Sequence, residues 1–348
     1  MRSLLLVSIL ILFSIQGYSQ TTYKKVVAKT GDGVFTLLRR HGLNPSEHLA
    51  PFLELNKDNL GKDNSLLIGK TYMLPPKVAA TGKETPPETT RSEPNPSVPN
   101  SPSKGNTVAL FGEKHARLDM KSQRLKGAVY YLSPGHGGYD PGALGRYGPH
   151  TLAEDEYAYD VTIRLAKSLM EHGATVYMIV QDPNDGIRDQ TILKMDTDEV
   201  HYPNTKISLS QKQRLRQRTE AINTLYKKHK GAYQRMLAIH VDSRSIGQKI
   251  DVFFYHHENS DAGQKLAETI HQKFTSKYKR YQPNREYSGN VSHRSSLYVI
   301  KYTHPPTVFI ELGNIQNDLD QKRFVIPDNR QALANWIAEG ILDDYKTR

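Results

Sequence analysis

Two histidines and two glutamates combine residue types that suit hydrolysis at a metal ion with positions at the ends of predicted strands or helices. His136 lies in the glycine-rich turn 134–138, Glu154 begins a helical pattern, and His240 and Glu311 each end an apolar run. A catalytic zinc takes three protein ligands and leaves one position open for water. Because the chain has no cysteine, only histidine and carboxylate can hold a metal. No HExxH helix is present, so such ligands must come from separate elements.

The elements that would position these residues alternate between strand and helix along residues 108–348. Strands are predicted at 128–133, 174–180, 236–240, 250–255, 297–300 and 307–311, and helices at 154–173, 209–228, 262–277 and 328–343. This order predicts an α/β fold, with an open, mostly parallel twisted sheet flanked by helices. Sites on such sheets gather outside the carboxyl ends of the strands. His136, His240 and Glu311 all stand at or just past such an end.

Three segments resemble motifs of one enzyme family. The run His136-Gly137-Gly138-Tyr139-Asp140-Pro141-Gly142-Ala143, with Glu154 at the following helix start, resembles the opening motif of the type 3 amidases. These are zinc-dependent N-acetylmuramoyl-L-alanine amidases. Ala238-Ile239-His240 and Phe309-Ile310-Glu311-Leu312-Gly313 match two later motifs, and the resemblance covers about residues 127–345.

The resemblance implies a function and a role for each residue. His136, Glu154 and His240 would hold Zn²⁺, and zinc-activated water would cleave the amide between N-acetylmuramic acid and L-alanine of peptidoglycan. Glu311 would be the general acid/base that carries a proton to the leaving amine. Its apolar neighbours, residues 308–310, are expected to raise its pKa.

Supporting roles are predicted for Asp140 and Arg218. Asp140 would hold the His136 loop, and Arg218, in a Leu-x-x-Arg helix segment like that of the family, would give structural or electrostatic support. Two stretches depart from the family pattern, Val241-Asp242 in place of Ala-Asn and 313–317 in place of a Gly-Phe-Leu-Ser-Asn-like ending. Neither departure removes a ligand, although both can alter contacts in the cleft.

Several features outside the motifs have more than one interpretation. The stretch 181–208 is either a loop that gates the cleft or an inert surface insertion. Exposed positions outside the site are predicted for three further histidines, His256, His257 and His293.

Each of the four principal residues also has a simpler interpretation when it is taken alone. His136 suits a turn, His240 a buried strand, Glu154 a helix N-terminus, and Glu311 a buried ion pair. Together, and in the family's order, they favour a metal site. Two other functions remain open: an inactive wall-binding adaptor, and a zinc peptidase that acts within the stem peptide.

The N-terminal third is predicted to contain three segments. Residues 1–20 have the charged head, apolar core and small-residue end of a signal peptide, which predicts export to the periplasm or cell envelope. Residues 23–75 resemble a LysM module, a βααβ unit, which implies binding to N-acetylglucosamine-containing glycan; a βααβ domain without a ligand is the alternative. Residues 76–106 are a Pro/Ser/Thr-rich linker, and the catalytic domain spans 108–348.

The charge of the chain bears on its partners. The formal net charge is +11, yet no aromatic-plus-basic nucleic-acid motif is present, so nucleic acid is not expected as a partner. An exported basic protein meets the anionic polymers of the envelope, and peptidoglycan is the predicted partner. No apolar stretch suits a membrane span in the mature chain, and a protein activator is left open.

Overall fold

The computed structural model describes residues 23–29, 32–43, 45–61, 66–76, 107–208, 210–243 and 249–348. The predicted signal peptide and, apart from Pro76, the predicted linker lie outside these residues. The described residues form a small N-terminal unit around one hydrophobic core and a large C-terminal unit around two.

The N-terminal unit has the strand, helix, helix, strand order predicted for it. Its elements are β1 Lys24–Val27, α1 Val34–Arg40, α2 Pro45–Asn56 and β2 Thr71–Leu74, and the two strands pair antiparallel. Leu37, Phe52 and Tyr72 are fully buried between strands and helices. The Asn56 side chain joins helix to sheet, because its Nδ2 donates to Met73 O at 2.8 Å and its Oδ1 accepts from Met73 N at 2.7 Å.

The C-terminal unit contains eleven strands and six α-helices among the described residues. The strands are β3 Ala128–Pro134, β4 Leu144–Tyr147, β5 His150–Ala153, β6 Thr175–Met178, β7 Val180–Gln181, β8 Val200–His201, β9 Thr205–Lys206, β10 Tyr233–Asp242, β11 Phe253–His256, β12 Asn290–His293 and β13 Thr307–Asn314. The helices are α3 Glu154–Glu171, α4 Gln211–Lys228, α5 Asp261–Tyr281, α6 Tyr298–Tyr302, α7 Asp318–Val325 and α8 Pro327–Lys346.

A six-stranded sheet in the order β12-β11-β13-β10-β3-β6 is the centre of this unit. The strands β13, β10, β3 and β6 are parallel, whereas β11 runs antiparallel to β13. Helices cover both faces, since α3, α5 and α8 contribute to one core and α4 and α6 to the other. The predicted mostly parallel α/β fold is therefore confirmed.

The alternation of side chains along β10 shows how the two cores are filled. Leu237 and Ile239 face α3, α5 and α8, whereas Met236 and Ala238 face α4 and α6. Each buried aliphatic side chain of this kind contributes roughly 1.5–3 kcal/mol to stability. By the same alternation His240 belongs to the face that α4 covers.

The structure corrects several sequence-based predictions of elements. The stretch predicted as a strand at 297–300 is the start of helix α6, in which Val299 and Ile300 are buried against the sheet. A short apolar run has no periodicity that separates a strand from a buried helical turn. The hairpin β4–β5, the small sheet β7–β9, strand β12 and helix α7 were not predicted.

Among the described residues, no helix has the length and apolar character needed to cross a membrane.

Candidate active site

The register of the central strands brings His240 and Glu311 together. His240 of β10 lies directly opposite Glu311 of β13, and both strands continue beyond these residues to Asp242 and Asn314. Both residues therefore lie inside their strands, near the carboxyl end. The neighbouring strand β3 ends at Pro134, and Gly135 N donates to Ile239 O at 2.7 Å, so the chain turns away beside β10. His136 follows at once.

The His136 loop is fixed by contacts on several sides. His136 has a φ of 57°, a left-handed conformation that residues other than glycine rarely adopt. Its carbonyl accepts a hydrogen bond from Arg218 of α4, and its Nδ1 lies 3.0 Å from Asp140 Oδ2. Asp140 is held in turn by Arg214, whose Nη2 donates to it at 2.6 Å. Asp140 therefore orients the ring, so that Nε2 faces Glu154.

Glu154, the first residue of α3, uses both carboxylate oxygens at the centre of the site. Its Oε1 lies 2.8 Å from His240 Nδ1 and accepts from Val241 N at 3.1 Å. Its Oε2 lies 3.1 Å from His136 Nε2 and accepts from Ala143 N at 2.8 Å. The two backbone amides fix the carboxylate between the two imidazoles.

The charges of these groups are strongly coupled. Burial raises the pKa of the Glu154 carboxyl, but the His136 charge and the hydrogen bonds of both histidines outweigh burial and hold that pKa well below its usual range. Burial lowers the pKa of His136, but Glu154 and Asp140 outweigh it, so that this pKa lies above its ordinary value. Burial lowers the pKa of His240. Metal binds an ionised carboxylate and a neutral imidazole, so Glu154 is already in its binding state, whereas a metal that binds His136 must displace a proton.

The donor set fits a divalent metal ion. Donor atoms of His136, Glu154 and His240 lie within 4.8 Å of one another. Gly142 forms one wall of this space: an added Cβ would lie 2.5 Å from Glu154 Oε2 and 2.6 Å from His136 Cδ2. Its φ of 67° also favours glycine. Two imidazoles and one carboxylate are a ligand set that catalytic zinc sites use.

An open cleft of about 300 Å³ contains these groups and Glu311. Arg214 and Leu215 of α4 and Tyr298 of α6 also line it. Phe309 stacks on the His240 ring with 4.2 Å between centroids and 17° between planes, which restricts the orientation of that ring. The structure thus brings together all six residues singled out from the sequence, since Asp140 and Arg218 also line the cleft.

The other histidines lie outside the residues that line the cleft. The prediction of an exposed position was wrong for His256, which is buried at the end of β11 with its Nδ1 2.9 Å from His257 O. His293 is exposed, as predicted, and His257 is half-buried. The apolar side of β11 accounts for His256, because the strand pairs with β13 in the sheet interior.

The stretch 181–208, all of which is described, contributes no residue to the lining of the cleft. It packs instead against α3 and behind the His136 loop, where Glu199 Oε2 accepts from Gly138 N at 2.8 Å. Burial, followed by the charge of Glu156, raises the pKa of Glu199 to about 8. The interpretation as a gate over the cleft is not borne out, since none of these residues lines it, and the interpretation as an inert insertion stays a prediction.

The sequence analysis missed Arg214, which lines the cleft, and Glu199, which contacts the His136 loop from behind. A signal existed for Arg214, because it precedes Arg218 by four residues and so shares its helix face. Glu199 lies in a segment with no periodicity, so no comparable signal existed for it.

Comparisons with known proteins add sequence relationships to this geometry. The germination-specific N-acetylmuramoyl-L-alanine amidase of Bacillus subtilis (strain 168) is 25% identical over 218 residues, which are 63% of this chain and 80% of that protein. The probable cell wall amidase LytH of Staphylococcus aureus is 26% identical over 236 residues, which are 65% of this chain and 64% of that protein. The solved structure of the N-acetylmuramoyl-L-alanine amidase AmiC2 of Nostoc punctiforme is 20% identical, with a TM-score of 0.45 over 64% of this chain and 99% of that one.

The sequence profile of the Amidase_3 family, described as N-acetylmuramoyl-L-alanine amidase, matches residues 131–343. This match spans more than half of the chain and includes every residue that lines the cleft. The chain therefore belongs to the Amidase_3 family of N-acetylmuramoyl-L-alanine amidases.

Proposed function

We propose that this protein is a zinc-dependent peptidoglycan hydrolase that cleaves the amide between the lactyl group of N-acetylmuramic acid and L-alanine. The observation that carries the proposal is the convergence of His136, Glu154 and His240 donor atoms within 4.8 Å, in a cleft that also contains Glu311. Family membership supports amide hydrolysis in the cell wall. In this proposal the residues around the three ligands orient them, and Glu311 transfers the proton.

When bound by these three residues, zinc supplies a Lewis acid that polarises the scissile carbonyl and acidifies water. The amides of Val241 and Ala143 fix the orientation of the Glu154 carboxylate. Asp140 keeps Nε2 of His136 turned toward the site. Phe309 keeps the His240 ring in one orientation and excludes water from that side.

Glu311 is the proposed general acid/base. It lies opposite His240 across the strand pair, in the same cleft, and is half-buried. It accepts a proton from water as the water oxygen bonds to the carbonyl carbon, and it donates that proton to the nitrogen as the C–N bond breaks. The products are a lactyl carboxylate on the sugar and a free amine on L-alanine.

The N-terminal features extend the proposal. We infer that the unit at 23–75 is a LysM-like module that holds glycan while the catalytic unit cleaves. The linker would then raise the local concentration of the site at an insoluble polymer. Export to the periplasm or cell envelope follows from the signal-peptide pattern of residues 1–20. A protein activator remains an open prediction.

Muropeptide analysis of digested peptidoglycan tests the reaction. The wild-type protein should release intact stem peptides with a free L-alanine amine, and a chelator should abolish release. Glu311→Gln should lower the rate by roughly 10²–10⁴-fold while zinc binding persists, because only proton transfer is removed. Glu258→Gln is the matched control, since Glu258 is exposed and lies outside the residues that line the cleft.

The same assay separates the alternatives. Fragments that leave L-alanine on the sugar would identify a peptidase. No release from zinc-loaded protein that still binds peptidoglycan would favour the adaptor. If the Glu311→Gln and Glu258→Gln variants released stem peptides at equal rates, the proposed role of Glu311 would be wrong, even if amidase products appeared.

A further inference from the structure

A second groove lies between α5, α7 and α8, and its volume of about 770 Å³ exceeds that of the active-site cleft. It will be called the Trp336 groove, after the single tryptophan of the chain, which lines it. Tyr281, Leu319 and Ile326 add apolar surface, and amides of Gln282, Asn329 and Asn335 add hydrogen-bonding groups. Nothing in the proposed reaction uses these residues.

The Trp336 groove lies at the same edge of the sheet as the active site but on the opposite face. Helix α7 directly follows the carboxyl end of β13, the strand that carries Glu311. Arg323 of α7 donates to Leu312 O, the residue after Glu311. The active-site cleft is on the face covered by α4, whereas α5 and α8 cover the other face. A long polymer that leaves the cleft over this edge would reach the groove.

Exposed Tyr281 and half-buried Trp336 give the groove an aromatic surface. Tyr281 is 60% exposed and lies parallel to Trp336, with 3° between the ring planes and 6.5 Å between centroids. Edge contacts with Phe274 and Tyr278, both at 5.3 Å, hold the indole in place. Leu319 is 57% exposed. Exposed apolar patches rimmed by polar groups mark binding sites, and flat aromatic rings suit the C–H faces of sugar rings.

The groove also has an excess of positive charge. Lys249, Arg285 and Arg323 all approach the single carboxylate of Asp251, and Arg323 also pairs with Asp320. Lys322 makes no ion pair with any described residue. The groove-lining side chains Lys249, Arg285, Lys322 and Arg323 carry four positive charges, and the paired carboxylates of Asp251 and Asp320 carry two negative ones, which leaves two positive charges in excess. The acid Glu339 at the rim is already paired with Lys277 at 2.6 Å.

We propose that the Trp336 groove binds the peptidoglycan glycan strand from which stem peptides have been removed. This inference rests on the proposed function, because hydrolysis of each muramyl amide leaves a lactyl carboxylate on the sugar. The stripped strand is therefore a polyanion with regularly spaced sugar faces, which matches a cationic groove with an aromatic floor. Binding the product beside the active site keeps the catalytic unit on the strand that it is stripping.

The single tryptophan allows a direct test with the full chain. Glycan strands stripped beforehand by a different amidase are titrated against the protein while Trp336 emission is recorded. A saturable change in emission is expected, with an affinity at least tenfold higher than for neutral chitooligosaccharides of equal length. Tyr281→Ala and Lys322→Ala should each weaken binding at least fivefold. Lys279→Ala, on the exposed side of α5 and outside the groove lining, should leave it unchanged.

Three outcomes would overturn the inference. Trp336 emission could stay constant although the strands bind elsewhere on the chain, neutral and stripped glycans could bind equally, or Lys279→Ala could weaken binding as much as Lys322→Ala. Because the strands are supplied already stripped, a chain without amidase activity can still bind them. If Trp336 emission did not change in a protein that hydrolyses peptidoglycan, glycan binding in the Trp336 groove would be refuted, whereas the proposed reaction would not be affected.

Discussion

Replacing Gly142 by alanine tests whether the proposed ligands bind metal in the geometry seen here. The new Cβ would lie 2.5 Å from Glu154 Oε2 and 2.6 Å from His136 Cδ2, more than half an ångström inside ordinary contact. The backbone beside Gly142 is restrained, because the next amide, Ala143 N, donates to Glu154 Oε2 at 2.8 Å. Two ligands must therefore shift. A comparable disturbance of groups behind metal ligands lowers metal affinity by about 10–100-fold.

The left-handed backbone of Gly142 adds a second cost that must be separated from the clash. Alanine in this conformation costs about 1–2 kcal/mol at any site. Gly148 supplies the matched control, since its φ is 57° and an added Cβ would meet no atom within 4 Å. Gly148→Ala should therefore lose stability through the backbone alone, with zinc affinity unchanged.

Two measurements on the same samples separate these effects. Zinc affinity is measured by competition with a chromophoric chelator, and the stability of metal-free protein is measured by urea unfolding. Gly142→Ala should lose zinc affinity, whereas Gly148→Ala should lose only stability. Equal zinc affinities for the two variants would show that the metal does not lie between Glu154 and His136, and the ligand set would have to be revised.

Two further perturbations act on buried charge. Burial raises the pKa of Glu199 from 4.5 to about 8. The contribution of protonated Glu199 to the free energy of unfolding is therefore complete below pH 4.5 and is lost as pH rises to about 8. The melting temperature of the wild-type protein should fall over this pH range, and that of the Glu199→Gln variant should fall less. Melting temperatures that fall equally in the two proteins would contradict this prediction. Arg330→Met should cost about 3 kcal/mol in urea unfolding, because buried Arg330 pairs with Asp160 at 2.6 Å. Arg216→Met, at an exposed pair, should leave the midpoint unchanged, and equal losses would refute the burial argument.

The main features of the sheet were predictable because they depend on local patterns. The apolar runs at 128–133, 236–240 and 307–311 are strands buried on both faces, and such strands appear in sequence as nearly continuous apolar stretches. Parallel pairing then requires that residues at their carboxyl ends meet, which places His136, His240 and Glu311 together without any detailed geometry.

The features that escaped prediction depend on contacts between distant residues. Val299 and Ile300 are helical because the packed sheet offers them a buried face, which a run of β-forming residues does not reveal. Arg214 reaches Asp140 across 74 positions, and Glu199 reaches Gly138 across 61. No periodicity encodes such pairs. Such pairs depend on how the strands and helices pack in the folded chain.

The position of Glu154 connects the fold to the chemistry. Its two oxygens accept hydrogen bonds from Val241 N and Ala143 N, and these amides belong to β10 and to the loop that follows His136. The carboxylate is therefore oriented by the backbone of the elements that carry the two histidines. Any change in the register of β10 against β3 would move His240 and the amide of Val241 together, so the ligand set forms only when the sheet is correctly paired. For this reason the ligands can lie far apart in sequence and still define one site.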